Sequence, residues 1–320
     1  MTDTREQTVV GIDLGATNYR VAVASGVDLL DRVQYQTPAA HTGREVTEAL
    51  VDAVDEVLAA AGLDREAVAG VGVGSIGPLD TESGVVIDPP NLSASIEGIP
   101  LAGPIGDAMG APVRVENDAI AALLAERAQM EDPPPNMAYV TFSTGVGAGV
   151  AVDGHVLRGW GGNAAEVGHF VLEPDDGRPC GCGRDGHWEA YAGGNNLPDY
   201  ARSLRDAFEG DTELALTEDS FAAEDVFAMA GEDVLADILI HRLGRWNAQG
   251  LATLVHAYAP ELISIGGAVA LENPALVIEP IRDRLPPLVT TRVPELRATP
   301  LGHDAVLEGG LELARLVASD

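Results

Sequence analysis

The chain of 320 residues carries 50 acidic residues against 19 basic ones, a net charge of −31, and every basic residue is Arg. That balance argues against nucleic acid as a partner, because a phosphate backbone calls for a basic face. The apolar stretches 51–63 and 238–255 are broken by charged residues or Gly short of bilayer length, and the start, MTDTREQ, has no basic region ahead of an apolar block, so neither a membrane span nor a signal peptide is expected.

Hydrophobic residues make up 46% of the sequence, enough for the core of one large domain or two medium ones. The acidic residues are spread along the chain and form no tail. An ordinary acidic enzyme is the plain reading. The reading favoured by the missing Lys is a protein that works in molar salt, where the Debye length falls to about 3 Å and self-repulsion is screened. Cys180 and Cys182 are too close in sequence to close a relaxed disulfide. They read as a metal clip or as reduced thiols, in keeping with a cytoplasmic protein.

In chain order, residues 8–12 and 19–24 are β-branched runs around the Gly/Thr turn of residues 13–17, which predicts a hairpin. Residues 31–36 supply a third strand. Apolar residues at helical spacing (Val46, Leu50, Val54, Val57, Leu58) predict a helix over 44–61, stopped by Gly62. Strands follow at 68–73 and 113–116, and the second leads into a helix over 119–127. The Pro-rich run 132–136 is a linker or surface loop near a domain boundary. The opening pattern then recurs: a strand at 138–142, a Ser/Thr/Gly turn at 143–147 and a returning strand at 148–152. Two such hairpins point to a duplicated α/β architecture. Residues 154–194 are Gly-rich and irregular. Helices are predicted over 195–207, 222–230, 233–258, 275–285 and 304–317, with a strand at 261–265.

Four constellations carry chemistry. The two Gly/Thr turns expose backbone N–H groups able to cradle phosphate, and Gly15, Thr17, Ser143 and Thr144 suit that task. There is no P-loop, which would need the absent Lys. Asp13, at the first strand's end, can hold hydrated Mg²⁺, or else simply cap its turn. Asp118, where a strand meets a helix, reads as a helix cap or as the general base that orients and deprotonates an acceptor hydroxyl. His169, Cys180, Cys182 and His187 form the donor set of a closed, structural Zn²⁺ site, with Glu166 and Glu189 beside it free to accept sugar hydroxyls. A strand ending in Gly266-Gly267 allows close approach of a nucleobase or ribose.

The segments GIDLGATNYR (11–20), VENDA (115–119), FSTGVGAGV (142–150), AEVGH (165–169), CGCGRDGHWEAYAGG (180–194) and ISIGG (263–267), in this order, resemble the ROK family of sugar kinases and repressors within the actin/hexokinase superfamily. The resemblance implies a two-lobed actin-like (ribonuclease H-like) α/β fold with an interlobe cleft. Its small lobe would take 1–117 plus 304–320, and its large lobe 118–303, with the zinc-binding segment 166–189. The implied activity is ATP-dependent phosphorylation of a hexose at the 6-hydroxyl, glucose first. A kinase for N-acetylglucosamine, mannose or fructose is the alternative, and a non-catalytic sugar sensor or regulator is a rival of another class.

Residue by residue, the resemblance makes Asp118 the base and gives the sugar to Asn117, Asp118, Glu166, His169 and Glu189. It gives the phosphates and Mg²⁺ of ATP to Asp13, Gly15, Ala16, Thr17, Asn18, Ser143, Thr144, Gly145 and Gly147, and the adenosine to Gly266 and Gly267. Zinc falls to His169, Cys180 and Cys182, with His187 where the family usually has a third Cys. Arg20 stands for a common Lys. Ser93-Ala94-Ser95 follow Asn91-Leu92, where many family glucokinases carry Trp. A homo-oligomer, dimer or tetramer, is expected.

Overall fold

The computed structural model describes residues 7–87, 89 and 96–319; the departure at 91–95 lies outside them. The chain forms two compact units. One comprises Met1–Pro133, Leu157–Ala164 and Asp304–Asp320; the other comprises Pro134–Val156 and Ala165–His303.

The first unit opens with β1 (Thr8–Leu14) and β2 (Asn18–Ser25), antiparallel from Thr8↔Ser25 to Leu14↔Tyr19, then β3 (Asp28–Gln36). Helix α1 (Gly43–Ala60) starts where Thr42 accepts a hydrogen bond from the Glu45 N–H and Glu45 in turn accepts from His41 N–H. Strand β4 (Val68–Ser75) follows. A small three-stranded sheet comes next, made of β5 (Leu79–Asp80), β6 (Val85–Ile87) and β7 (Gly98–Pro100). Then come α2 (Ala102–Met109), β8 (Val113–Asn117) and α3 (Asp118–Ala128).

The second unit repeats the scheme with β9 (Met137–Phe142), β10 (Val146–Val152) and β11 (His155–Val156). Its helices are α4 (Glu189–Ala192), α5 (Leu197–Arg205), α6 (Ala223–Ala228) and the long α7 (Val234–Tyr258). It closes with β12 (Leu262–Gly266), α8 (Ala268–Glu272), α9 (Pro274–Arg284) and β13 (Glu295–Ala298). The last helix, α10 (Ala305–Ser319), belongs to the first unit.

The two large sheets have the same topology, β3-β2-β1-β4-β8 and β11-β10-β9-β12-β13. In each, an antiparallel hairpin is extended by two parallel strands. The duplication expected from the paired Gly/Thr turns is therefore present, and the fold is the two-lobed actin-like α/β class.

Alternation along the strands explains the layers of the first unit. Val10, Ile12, Val21 and Val23 face the core that holds Val46, Leu50, Val54 and Val57 of α1. Val9, Ala22 and Ala24 point the other way, onto Leu307, Leu311 and Ala314 of α10. Helix α10 also packs on α3, where Gly309 lies against Ala121. This packing corrects the expected division at residue 117. Helix α3 and the chain through Pro133 belong with the first unit, and so does the excursion Leu157–Ala164. None of the described helices is long and apolar enough to cross a membrane.

Candidate active site and metal cluster

In the first unit, Asp13, Asn117 and Asp118 lie at the carboxyl ends of the parallel strands β1 and β8, which flank β4. Open α/β sheets bind ligands at that end. Asn117 caps α3: its Oδ1 accepts from the Ala119 N–H at 3.0 Å, and Asp118 Oδ1 accepts from the same N–H at 2.7 Å. The cap is therefore Asn117, and Asp118 is the first helical residue.

Although 18% of the Asp13 side chain meets solvent, its carboxyl is pushed up to about 7. Burial is the main cause. Arg20 opposes it, and the charges of Asp118 and Asp304 add to it. Arg20 Nη1 lies 4.0 Å from Asp13 Oδ2 and 3.6 Å from Asp304 Oδ1. Asp13 and Asp304 flank Arg20, and Asp118 lies near enough for its charge to act on Asp13. Carboxylates gathered in this way have the chemistry of a divalent-cation site, and a cation there would draw the proton from Asp13.

The turn of Gly15, Ala16, Thr17 and Asn18 is closed by the Gly15 N–H donating to the Asn18 carbonyl at 3.0 Å. Thr37, just after β3, clamps it twice. Its N–H donates to the Thr17 carbonyl at 2.9 Å and its hydroxyl to the Gly15 carbonyl at 2.8 Å. Sequence reasoning missed Thr37, since a Thr at a strand end carries no local signal.

In the second unit, the Ser143–Gly147 turn joins β9 to β10. It is tied down by the Gly194 N–H on the Ser143 carbonyl (2.8 Å) and the Asn195 N–H on the Thr144 carbonyl (3.1 Å). Glu189, from the start of α4, reaches into this turn. Its Oε2 accepts from the Val146 N–H at 2.9 Å, and a Cβ at Gly145 would overlap that carboxylate. Glu166 precedes the short helical turn 167–169, and His169 ends it. Burial raises the Glu166 carboxyl, His169 lowers it and Glu189 raises it further, so the three share one neighbourhood.

Gly266 ends β12 differently from the expectation. The space of its missing side chain is filled by the Tyr139 hydroxyl, so the glycine there serves internal packing.

His169, Cys180, Cys182 and His187 come together, their donor atoms all within 4.8 Å of one another. Cys182 Sγ is 3.2 Å from His187 Nδ1, and Cys180 Sγ is 4.0 Å from His169 Nδ1. Tetrahedral Zn²⁺ with ordinary bond lengths spaces S and N donors about 3.6 Å apart, so the cluster fits such an ion. The loop is held by the Gly183 N–H on the Cys180 carbonyl (2.9 Å) and the Cys180 N–H on the Arg184 carbonyl (2.8 Å). Burial pushes the Cys180 thiol up to about 12, and the nearby Glu189 adds to the rise. Burial, followed by His169, lowers His187 and keeps it in the neutral form that ligates metals.

Between His187 and Glu189 sits Trp188, fully buried. Its indole N–H donates to Asn247 Oδ1 at 3.0 Å, its ring meets Phe142 edge-on with centroids 5.6 Å apart, and it fills a notch at Gly250 of α7. That interior helical Gly was the available signal for a close approach.

The model of the ROK family matches residues 9–316. A glucokinase of Pyrobaculum calidifontis is 38% identical over 309 residues, 95% of this chain and 94% of its own. The ROK hexokinase structure from Thermus thermophilus aligns with TM-score 0.79 at 34% identity, covering 98% of this chain and all of its own. The structure of a ROK family glucokinase from Streptomyces griseus in complex with glucose and AMPPNP aligns with TM-score 0.77 at 31% identity, covering 97% and 99%.

Proposed function

The chain belongs to the ROK family and is a sugar kinase, and on that premise we propose that it transfers the γ-phosphoryl of ATP to the 6-hydroxyl of glucose. The observation that carries this reading is that Asp13 and Asp118 stand at the carboxyl ends of β1 and β8, on either side of β4, near enough for the charge of one to raise the other. Asp118 takes the proton from the attacking hydroxyl, and Asn117 holds the sugar beside it. Asp13 holds the hydrated Mg²⁺ that accompanies ATP; bound there, the ion would neutralise charge on the phosphate oxygens. Those backbone N–H groups of the turns at Gly15–Asn18 and Ser143–Gly147 that make no internal hydrogen bond cradle phosphate, with Gly267 toward the adenosine. Glu166, His169 and Glu189 accept and donate to the sugar hydroxyls. His169 can do so through Nε2 because its Nδ1 edge faces Cys180.

A coupled assay over a panel of hexoses in molar KCl tests this. Expected is a kcat/KM for glucose at least about tenfold above those for N-acetylglucosamine, mannose and fructose, with MgATP as donor; one methylene or hydroxyl misfit alone changes binding by roughly that factor. A preference for another hexose would move the substrate assignment within the kinases. Faster turnover with polyphosphate or another nucleotide would move the donor.

The same reading includes one structural Zn²⁺ per chain on His169, Cys180, Cys182 and His187. Elemental analysis after dialysis should return about one zinc, and the affinity should rise with pH, because the Cys180 proton must leave before its sulfur can ligate. His187→Cys should keep the metal, since either side chain completes the tetrahedron. Folded, active protein without metal would end the zinc reading.

A further inference from the structure

Glu116 is the charged residue that the proposed mechanism leaves unused. It stands in β8 one residue before Asn117, with only 3% of its side chain exposed. Two guanidinium groups converge on one of its oxygens. Arg158 Nε donates to Oε1 at 2.7 Å, and Arg114 Nη2 reaches the same atom at 3.3 Å. Oε2 is also buried and has no hydrogen-bond partner among the described residues. A buried carboxylate held this way depends on its nearer cation, because an unpaired buried charge is expensive.

Arg158 comes from the excursion Leu157–Ala164, which leaves the second unit's chain and packs within the first. The excursion is closed on itself by the Ala164 N–H on the Arg158 carbonyl at 3.0 Å. Its far end is fastened to β5: Asn163 Nδ2 donates to the Leu79 carbonyl at 3.0 Å, and Asn163 Oδ1 accepts from the Leu79 N–H at 3.2 Å. Arg158 is thus not a loose surface side chain. It is presented by a loop pinned at both ends.

We infer that Arg158 is a positioning residue: by pairing with Glu116 it fixes the end of β8 and so the placement of Asp118. This rests on Asp118 being the base. Glu116 and Asp118 are two residues apart across the strand-to-helix junction, and the Asn117 cap lies between them. Without Arg158, Glu116 keeps only the 3.3 Å contact to Arg114. It must then turn toward water or take up a proton, and either response shifts the junction. A displacement near 1 Å at a reacting group costs on the order of 100-fold in rate.

The test measures kcat, the equilibrium affinity for MgATP, and thermal melting for Arg158→Ala, Arg158→Lys and Arg158→Ala/Glu116→Gln, beside Asp118→Asn. Arg158→Ala should lower kcat by about 10- to 100-fold, with MgATP affinity within twofold of wild type. Adding Glu116→Gln should restore most of that loss, because it removes the stranded charge. Arg158→Lys keeps a charge but lacks the planar Nε donor, so it should fold and lose several-fold in kcat. A structural role alone would change melting and leave kcat of the folded protein intact. Wild-type kcat in Arg158→Ala, or in Arg158→Lys should Arg158→Ala not fold, overturns the inference. So does a Glu116→Gln that deepens the loss. If Asp118→Asn turns over like wild type, the base assignment itself has failed, an outcome separate from the others.

Discussion

Asp118→Asn is expected to lower kcat by about 10²–10⁴-fold while leaving the protein folded and able to bind glucose and MgATP. The substitution keeps the shape of the side chain. Its Oδ1 can still accept from the Ala119 N–H, and the helix keeps its start because the cap is Asn117. What disappears is basicity toward the acceptor hydroxyl. Phosphoryl transfer needs little covalent help, so losing the base should reduce turnover without abolishing the positioning supplied by the rest of the site. Binding titrations with each substrate, alongside steady-state rates, separate the two. A folded variant with wild-type turnover would reduce Asp118 to a residue of the first helical turn.

The parts of this molecule that were legible in the sequence are those written locally. The two hairpins announce themselves by β-branched runs around Gly/Thr turns. Helices α1 and α7 show by apolar spacing and by their caps at Thr42 and Asp233. The metal cluster is legible because its ligands lie within about twenty residues, a spacing typical of structural zinc sites.

What was not legible depends on distant partners or on elements too short for periodicity. Strands β5, β6 and β7 have two or three residues each. Helix α2 reads AGPIGDAM, with Gly and Pro inside, and does not look like a helix. Strand β13 reads ELRA and exists because it pairs with β12. The placement of α3 is decided by α10, more than half the chain away. At the site, Glu166, His169 and Glu189 could be named individually. That Glu189 would reach the Val146 N–H, and that Arg158 would hold Glu116, are contacts between segments whose sequences say nothing of each other.

In dilute buffer the protein is expected to lose its native circular dichroism and most of its activity, and to recover both in molar KCl. The reason is in the charge. Fifty acidic residues face nineteen Arg, so most carboxylates can have no ion-pair partner of their own. Their distribution sharpens the point. Glu48, Asp52 and Glu56 line the exposed side of α1, and Glu218, Asp219, Glu224 and Asp225 crowd another exposed segment. At 0.01 M ionic strength the Debye length is about 30 Å, so repulsion sums over the whole molecule; at 1 M it is about 3 Å and only near neighbours feel one another. Native stability is about 5–15 kcal/mol, small enough for a modest penalty per carboxylate, multiplied by their number, to exceed it. Glu116 is buried although its partner Arg158 is partly exposed, so this pair should be less sensitive to salt than the surface charges. The measurement is circular dichroism and kcat against KCl from low millimolar to molar, at fixed pH and Mg²⁺. NaCl serves as a second arm to separate screening from a specific need for potassium. A flat profile with full activity in dilute buffer would show that the acidity is not a high-salt adaptation. The kinase assignment would be untouched, because it rests on the site residues and on the family.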